Sequence, residues 1–168
     1  LLSINKDHVN NTTPGAFFGE IISYDYGFTD VQLNGNKAGI KWRAAGDSNV
    51  RAYGYSYDNV NRLTNANFSQ QNSGSTSWTK DKMDFSAGNL TYDANGNILT
   101  MSQRGLQISA IALIDSLKYS YFSNSNRLQK VADLSTAGGY MGDFKDSSNT
   151  NDDYTYDANG NINRDNNR

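Results

Sequence analysis

The octapeptide Thr-Tyr-Asp-Ala-Asn-Gly-Asn-Ile occurs twice in this chain, at residues 91–98 and again at residues 155–162. Eight identical consecutive residues do not recur by chance in a chain of 168, so the repeat indicates a duplicated supersecondary unit. An Asn-Gly pair between two β-favouring segments is the strongest short-range signal for a two-residue type I′ hairpin turn, in which both central residues have positive φ. We therefore predict a β-hairpin at each site.

Looser copies of the same hairpin extend the pattern along the chain. Tyrosines alternate with small or polar residues, then come an Asp, an Asn-rich turn and an aliphatic residue, and four copies align at residues 55–63, 90–98, 119–128 and 154–162. The third copy has Phe122 in place of the Asp and one additional residue, which predicts a longer turn or a bulge. The positions that define the repeat are Tyr55, Tyr57, Asp58, Arg62 and Leu63 in the first copy; Tyr92, Asp93, Asn95, Gly96, Asn97 and Ile98 in the second; Tyr119, Tyr121, Arg127 and Leu128 in the third; and Tyr154, Tyr156, Asp157, Asn159, Gly160, Asn161 and Ile162 in the fourth.

Period-2 alternation predicts strands beside these turns. In residues 50–58 the tyrosines share one face and small residues occupy the other, whereas residues 20–28 place Ile22, Tyr24, Tyr26 and Phe28 on one face. Residues 39–45 read as another strand, and Asn34-Gly35-Asn36 as the turn before it. Residues 106–117 could be helical, but their β-branched content favours a strand or loop.

These patterns predict an all-β chain of consecutive antiparallel hairpins over residues 20–168. Residues 1–19 lack periodicity and contain the only Pro, so they are assigned to an N-terminal segment or linker. Polar stretches at residues 69–77 and 145–153 read as linkers between units. The missing initiator Met, and an end directly after a repeat motif, predict that the chain is a piece of a longer one.

The composition argues against several kinds of function and binding site. The chain has 15 basic and 17 acidic residues and no basic stripe, which argues against nucleic-acid binding. No run approaches 18 apolar residues, so no membrane-spanning segment is predicted, and zero Cys excludes disulfides and thiolate metal sites. With 11 Tyr and 7 Phe, we expect burial to rest heavily on aromatic rings, and we expect the tyrosine hydroxyls to remain hydrated.

The repeat could hold calcium, because Asp93, Asn95 and Asn97 have the alternating oxygen ligands that begin a calcium loop. The spacing does not continue: Gly96 comes at position four instead of six, and the only Glu is Glu20. An aspartate that accepts hydrogen bonds from the turn amides explains the same residues, so we predict no metal and no cofactor.

Catalysis has little support in this sequence. The single histidine, His8, lies in the unpatterned segment, where we expect an exposed or loop residue, and the aspartates are spread along the whole chain. We predict no catalytic residue and no enzyme activity. A glycan-binding or adhesive module is the alternative, in which exposed tyrosines together with Trp42 or Trp78 would stack on sugar rings.

The repeated Tyr-x-Tyr-Asp-x-x-Gly-Asn-Ile pattern resembles the YD repeat of bacterial Rhs proteins, of the cocoon subunits of insecticidal toxin complexes and of animal teneurins. The resemblance is specific at the octapeptide and extends in looser form over residues 38–163. It includes residues 39–43, 51–55 and 142–145, whose sequence pattern is similar to that of the Rhs-like proteins of Bacteroidetes. Residues 1–19 are not covered.

The resemblance implies a fold and a role. In such proteins YD hairpins join into one long antiparallel sheet that spirals into a hollow shell, and bacterial members enclose a toxic domain at the C-terminus of the same polypeptide. This chain would be a strip of the wall in a secreted or cell-surface bacterial protein, and its partners would be adjacent repeats and the enclosed effector. It lacks the Asp-Pro-rich self-cleavage segment and any toxin tail, so the resemblance implies no catalytic residue here.

Overall fold

The chain is described by a computed structural model that covers residues 2–10, 15–108, 110–137, 142–146 and 152–167. The described residues are mainly antiparallel β-strands with one short helix, which confirms the predicted all-β class. They form two compact units, residues 1–87 and residues 88–168.

The first unit is an antiparallel sheet in which successive strands are hydrogen-bonded neighbours. Its order is β1-β2-β3-β4-β5, and β6 pairs with the end of β5. The elements are β1 Ser3–Ile4, α1 Lys6–Val9, β2 Phe18–Ser23, β3 Gly39–Ala44, β4 Val50–Tyr57, β5 Leu63–Gln71 and β6 Trp78–Thr79.

The second unit repeats the arrangement, with β7-β8-β9-β10 in chain order and a separate hairpin formed by β11 and β12. These strands are β7 Ala87–Tyr92, β8 Ile98–Gln107, β9 Ala110–Tyr121, β10 Leu128–Asp133, β11 Tyr154–Tyr156 and β12 Ile162–Asp165. Residues 106–117 therefore contain the end of β8 and the first part of β9, which confirms the strand prediction over the helical one.

The N-terminal region is organised differently from the prediction. The expected boundary between residues 19 and 20 falls inside β2, and residues 3–9 add β1 and α1 to the first unit. The strand predicted for residues 20–28 ends at Ser23, because the chain turns back where Gly27 adopts a φ of 77°.

Two further boundaries in this region differ from the prediction. The buried face of β2 carries Gly19, Ile21 and Ser23, and Ile22 lies on the opposite face. The first residues of the predicted linker at 69–77 belong to β5.

The core of the first unit is a cluster of aromatic rings on one face of the sheet. Phe68 on β5 lies directly opposite Tyr53 on β4, and the two rings meet edge to face with centroids 5.5 Å apart. Trp42 stacks on Tyr53 at 5.5 Å, and Phe85 meets Phe68 edge-on at 5.6 Å. Only 1% of Phe68 is exposed, so this ring is the centre of the cluster.

The small-residue face of β4 also has a packing role. Gly54 on β4 pairs with Gly39 on β3, and the ring of Phe28 lies against both backbones. A Cβ atom on Gly39 would lie 2.4 Å from Phe28 Cζ and 2.5 Å from the Tyr53 carbonyl oxygen. Gly39 therefore provides a slot that only a residue without a side chain allows, and at Gly54 a Cβ atom would make a tight contact of 3.1 Å with Phe28 Cδ1.

The core of the second unit is aliphatic. Ile114 and Leu117 on β9 and Val131 on β10 are buried. A Cβ atom on Gly105 would lie 2.7 Å from Ile114 Cδ1, so glycine at this point in β8 makes room for that side chain.

Candidate functional site

The hairpin turn of the second repeat copy is closed by two backbone hydrogen bonds. The Gly96 N–H donates to the Asp93 carbonyl at 3.1 Å, and the Asp93 N–H donates to the Asn97 carbonyl at 3.0 Å. Gly96 has a φ of 88°, while Asn95 is not among the residues with positive φ. The predicted two-residue type I′ turn is therefore wrong, and the turn is a three-residue loop with glycine in its left-handed position.

The Asp93 carboxylate explains this geometry. Its Oδ1 accepts the N–H groups of Asn95 at 2.9 Å and Asn97 at 2.8 Å, and its Oδ2 accepts the Asn97 side-chain amide at 2.8 Å. The hydrogen bond from the Asn97 side chain, together with those from the turn amides, lowers the pKa of Asp93. This confirms the predicted role of the aspartate as an acceptor of turn amides.

The fourth copy repeats this geometry. Asp157 Oδ1 accepts the N–H groups of Asn159 and Asn161, both at 2.9 Å, and its Oδ2 accepts the Asn161 side-chain amide at 3.0 Å. Gly160 adopts a φ of 87°. The hydrogen bond from the Asn161 side chain is the main cause that lowers the pKa of Asp157.

The first copy reaches the same turn with different residues. Asp58 Oδ1 accepts the N–H groups of Val60 and Arg62, both at 2.9 Å, and Arg62 Nε donates to Asp58 Oδ2 at 2.7 Å. Asn61 takes the left-handed position with a φ of 67°. The hydrogen bond from the Arg62 backbone is the main cause that lowers the pKa of Asp58. The arginine of this copy thus replaces the asparagine amide of the other two.

The third copy has the longer turn that its additional residue predicts. The Phe122 N–H donates to the Arg127 carbonyl at 3.0 Å, and Asn124 occupies a left-handed position with a φ of 54°. The pairing of β10 with β9 also shifts register just after Leu128. The Phe122 ring meets Tyr156 edge-on at 6.1 Å, so this residue packs where the other copies place a turn carboxylate.

Tyrosine hydroxyls connect successive hairpins. The Tyr121 hydroxyl donates to the carbonyl of Ile98, the first residue of β8, at 2.8 Å, and the Tyr156 hydroxyl donates to that of Leu128, the first residue of β10, at 2.8 Å. In the first copy the Tyr57 hydroxyl donates to a carbonyl shortly before β3, that of Lys37, at 3.0 Å. We expected hydrated hydroxyls, and these three correct that expectation.

Asparagine side chains connect the turn tips in a similar way. Asn126 Oδ1 in the third copy accepts the side-chain amides of Asn95 at 3.2 Å and Asn97 at 2.9 Å. Asn61 Oδ1 in the first copy accepts the amide of Asn34 at 2.5 Å, in the turn predicted for residues 34–36. The asparagine-rich turns therefore serve contacts between hairpins as well as the turns themselves.

The remaining repeat residues lie on the strands and are half-buried, except at the turn tips and at Ile162. Tyr55 stacks on Tyr53 with centroids 6.4 Å apart, and the Asn167 amide donates to the Tyr154 hydroxyl at 3.5 Å. Burial is the main cause that raises the pKa of each of these tyrosines: Tyr53, Tyr55, Tyr57, Tyr119, Tyr121 and Tyr154. The half-buried residues also include Tyr92, Leu63, Ile98 and Leu128.

One group of carboxylates was not predicted from the sequence. Oxygen atoms of Asp115, Asp133 and Asp143 all lie within 4.8 Å of one another. Asp115 is 2% exposed, and burial, with Asp133 and Asp143 nearby, raises its pKa. Asp115 accepts the Phe144 N–H at 2.7 Å and Asp133 accepts the Ser116 N–H at 2.8 Å. These bonds give the carboxylates a structural role at the sheet, which residue spacing could not reveal.

The structure places the three other candidate residues in different environments. His8 lies in α1 and is half-buried, whereas we predicted an exposed or loop residue. Trp42 is part of the aromatic cluster through its stack on Tyr53. Trp78, by contrast, is 39% exposed and lines a cavity of about 500 Å³.

No family model, no curated protein and no solved structure matches this chain. Among the residues that the structure describes, no helix is long and apolar enough to cross a membrane.

Proposed function

We propose that this chain is a structural segment of an Rhs-type YD-repeat shell, which encloses or presents an effector domain that lies outside these residues. The observation that carries the proposal is the hydrogen bond from the second tyrosine of a hairpin to the backbone of the preceding hairpin. It occurs at Tyr57, Tyr121 and Tyr156 with distances of 2.8 to 3.0 Å. A contact that recurs from hairpin to hairpin is what a growing wall requires.

The polar groups of the repeat support a structural role for the same reason. Both carboxylate oxygens of Asp93 are occupied by its own turn, and the Asn97 amide binds Asp93 and Asn126. A ligand or substrate would have to displace these bonds. The repeat residues therefore serve the fold, and we assign any catalytic activity to the enclosed domain.

The two octapeptides differ in a way that favours continuation of the array. Ile98 in the first octapeptide is half-buried, and its carbonyl accepts the Tyr121 hydroxyl of the following hairpin. Ile162, at the same position in the second octapeptide, is 57% exposed, and β12 pairs only with β11 among the described strands. We infer that the outer edge of β12 takes the next hairpin of the same polypeptide.

Location and cargo follow from the resemblance. A wall of this type encloses a toxic domain at the C-terminus of an exported bacterial protein, so we propose a secreted or cell-surface location. No nucleic-acid partner or membrane insertion is part of the proposal, because the chain carries a formal net charge of −2 and no basic stripe.

Limited proteolysis of the full gene product tests the proposal. If the array encloses an effector, the C-terminal domain should survive a protease concentration that digests the same domain expressed without the array. Cleavage of the domain at equal rates in both samples would contradict enclosure. The double variant Tyr121→Phe, Tyr156→Phe should reduce the protection, whereas Tyr26→Phe, which changes an exposed tyrosine outside the repeat, should not.

A glycan platform built from the repeat tyrosines has weaker support. Their rings are half-buried, and the hydroxyls of Tyr57, Tyr121 and Tyr156 are bound to backbone carbonyls. A titration with neutral oligosaccharides that monitors the NMR signals of the tyrosine rings distinguishes the glycan platform from the shell segment. Saturable shifts of those signals would favour the platform.

A further inference from the structure

The first unit contains a cavity of about 500 Å³ that none of the repeat residues line. Its walls come from α1, from β3 and from the segment that joins β5 to β6, and its volume is in the range typical of small-ligand sites. Two cations and one indole line it, namely Lys41 and Arg43 on β3 and Trp78 on β6, and none of the lining residues that the structure describes is acidic. The polar lining residues are Asn10, Ser48, Gln71, Asn72, Ser73, Ser75 and Thr76.

Lys41 is a cation beside two aromatic rings. Its Nζ lies 5.5 Å from the centroid of Trp78 and 5.5 Å from that of Phe28. Among the described residues it forms no ion pair, since the salt bridges there join Arg51 to Asp47, Arg62 to Asp58 and Lys80 to Asp84. An ammonium group without a carboxylate partner among the described residues, on the wall of a cavity whose described lining is free of acids, favours an anionic ligand.

The rest of the cavity suits a ligand with many hydroxyl groups. Trp78 is 39% exposed, so part of its indole remains open to a bound molecule. The Gln71 side-chain amide already donates to the Thr76 carbonyl at 2.8 Å, which orders this part of the rim. Serine, threonine and amide side chains both donate and accept hydrogen bonds, as sugar hydroxyls do.

We propose that this cavity binds an acidic sugar, such as a uronic acid unit of a polysaccharide. The pyranose ring packs on Trp78, its carboxylate pairs with Lys41, and its hydroxyls bond to the polar rim. This site goes beyond the shell function and stands independently of it, because no residue of the repeat takes part.

The lining favours a sugar over the two other ligands with related chemistry. A neutral sugar would offer the Lys41 ammonium no carboxylate, so the charge would keep only its contacts with the Trp78 and Phe28 rings. A nucleotide would present a planar base with few hydroxyl groups to the serine, threonine and amide side chains of the rim, which match the many hydroxyls of a sugar better. Both alternatives are outcomes of the experiment below.

The test is a titration of the protein with trigalacturonate, followed by tryptophan fluorescence and by calorimetry. We expect saturable binding that weakens with added salt, and maltotriose, a neutral trisaccharide, should bind roughly tenfold more weakly because a charge-assisted hydrogen bond is absent. Trp78→Ala should abolish binding and Trp78→Phe should retain part of it. Lys41→Gln should lower the affinity for trigalacturonate to that for maltotriose.

Two matched variants control for general effects. Tyr26→Ala removes a 48% exposed aromatic side chain outside the cavity, and Lys118→Gln removes the charge of an exposed lysine in the second unit. Neither should change the affinity, and circular dichroism should show every variant folded.

Several results would overturn the proposal. The first is the absence of a saturable signal with trigalacturonate, and the second is wild-type binding that does not depend on salt. The others are an unchanged affinity of Lys41→Gln for trigalacturonate and binding of trithymidylate as tight as that of trigalacturonate. The salt dependence of the wild-type protein decides the role of the charge even if Lys41→Gln fails to fold.

Discussion

At the residue scale, an aspartate at the end of a strand organises each of three hairpin turns. In a tight turn some backbone N–H groups have no acceptor on a neighbouring strand. The carboxylate of Asp58, Asp93 or Asp157 accepts hydrogen bonds from two of these N–H groups. A carboxylate is an acceptor only, so it fits a site that presents donors alone. The aspartate of the repeat is therefore a turn residue before it is a candidate ligand.

The left-handed position of the turn gives a prediction that compares two copies. Gly96→Ala should destabilise the protein by roughly 1–2 kcal/mol, because an L-residue is strained in this conformation while no atom lies within 4 Å of the new Cβ. Gly96→Asn should change stability little, since Asn61 occupies the same position in the first copy. Urea unfolding measures both variants. Equal losses for Ala and Asn would contradict the assignment.

The turn carboxylates also predict a pH dependence. Hydrogen bonds lower the pKa of Asp93 below its ordinary value of 3.8, so the stability that this group contributes is present above pH 3.8 and is lost as the pH falls through its folded-state pKa. Asp93→Asn should therefore be less stable than wild type at pH 7, and the difference should vanish in strong acid. Carbon-13 NMR of the carboxyl groups should show Asp93 titrating below 3.8 and the buried Asp115 above it. The opposite order would contradict this account.

At the element scale, a tyrosine hydroxyl joins each of three hairpins to the backbone of the hairpin before it. Tyr121 and Tyr156 reach carbonyls at the start of the preceding return strand, which is the same place in each case. The bond therefore fixes the register of neighbouring hairpins as well as adding stability.

Removal of these hydroxyls is a conservative test. Tyr121→Phe and Tyr156→Phe should each lower the free energy of unfolding by about 0.5–1.5 kcal/mol, the usual net contribution of a hydrogen bond. Tyr26→Phe is the matched control, because Tyr26 is exposed and its hydroxyl makes only a long hydrogen bond of 3.4 Å to the Ile22 carbonyl. Its effect should stay within about 0.5 kcal/mol. Equal effects of all three substitutions would show that the bonds between hairpins contribute nothing specific.

A substitution in the aromatic cluster of the first unit should lower the stability by more than the loss of a tyrosine hydroxyl does. Phe68→Ala should cost about 3–5 kcal/mol, because the side chain is 1% exposed and contacts Trp42, Tyr53 and Phe85. Phe17→Ala, at an 89% exposed position, should change stability by less than about 0.5 kcal/mol. Chemical denaturation of the two variants makes the comparison, and a small loss for Phe68→Ala would contradict the proposed core.

Local patterns were sufficient to predict the hairpins of the repeat and several of the strands. The alternation in residues 50–58 predicted β4 and its two faces, and the repeat predicted where three turns lie. The turn type was missed, because the Asn-Gly signal ignores the aspartate two residues earlier that recruits the turn amides. The end of β2 was missed because the bend at Gly27 overrides an otherwise regular alternation.

Contacts between distant segments could not be predicted. Phe28 fills the slot over Gly39 and Gly54, yet nothing in its local sequence indicates that destination. The acidic group of Asp115, Asp133 and Asp143 combines residues of β9, of β10 and of the segment after β10, and no local pattern links the three. The Trp78 cavity likewise depends on which loop lies beside β3, and residue spacing carries no information on this.

At the scale of the whole molecule, the chain carries a strand edge that favours association. β12 has one strand partner among the described residues, and Ile162 on it is 57% exposed. Unpaired edges bind other strands, and a formal net charge of −2 provides little repulsion between copies. A segment of a wall should therefore self-associate when it is separated from its neighbours.

Sedimentation velocity of the 168-residue chain over a range of concentrations tests the central claim most directly. The account predicts an average mass that rises with concentration, and Ile162→Lys, which places a charge on the open edge, should return the protein to a monomer. Leu33→Lys, the same change at an 88% exposed residue away from the strands, should leave the association intact. A wild-type chain that remains a single monomeric species at every concentration would contradict the account of this protein as one segment of a hairpin wall.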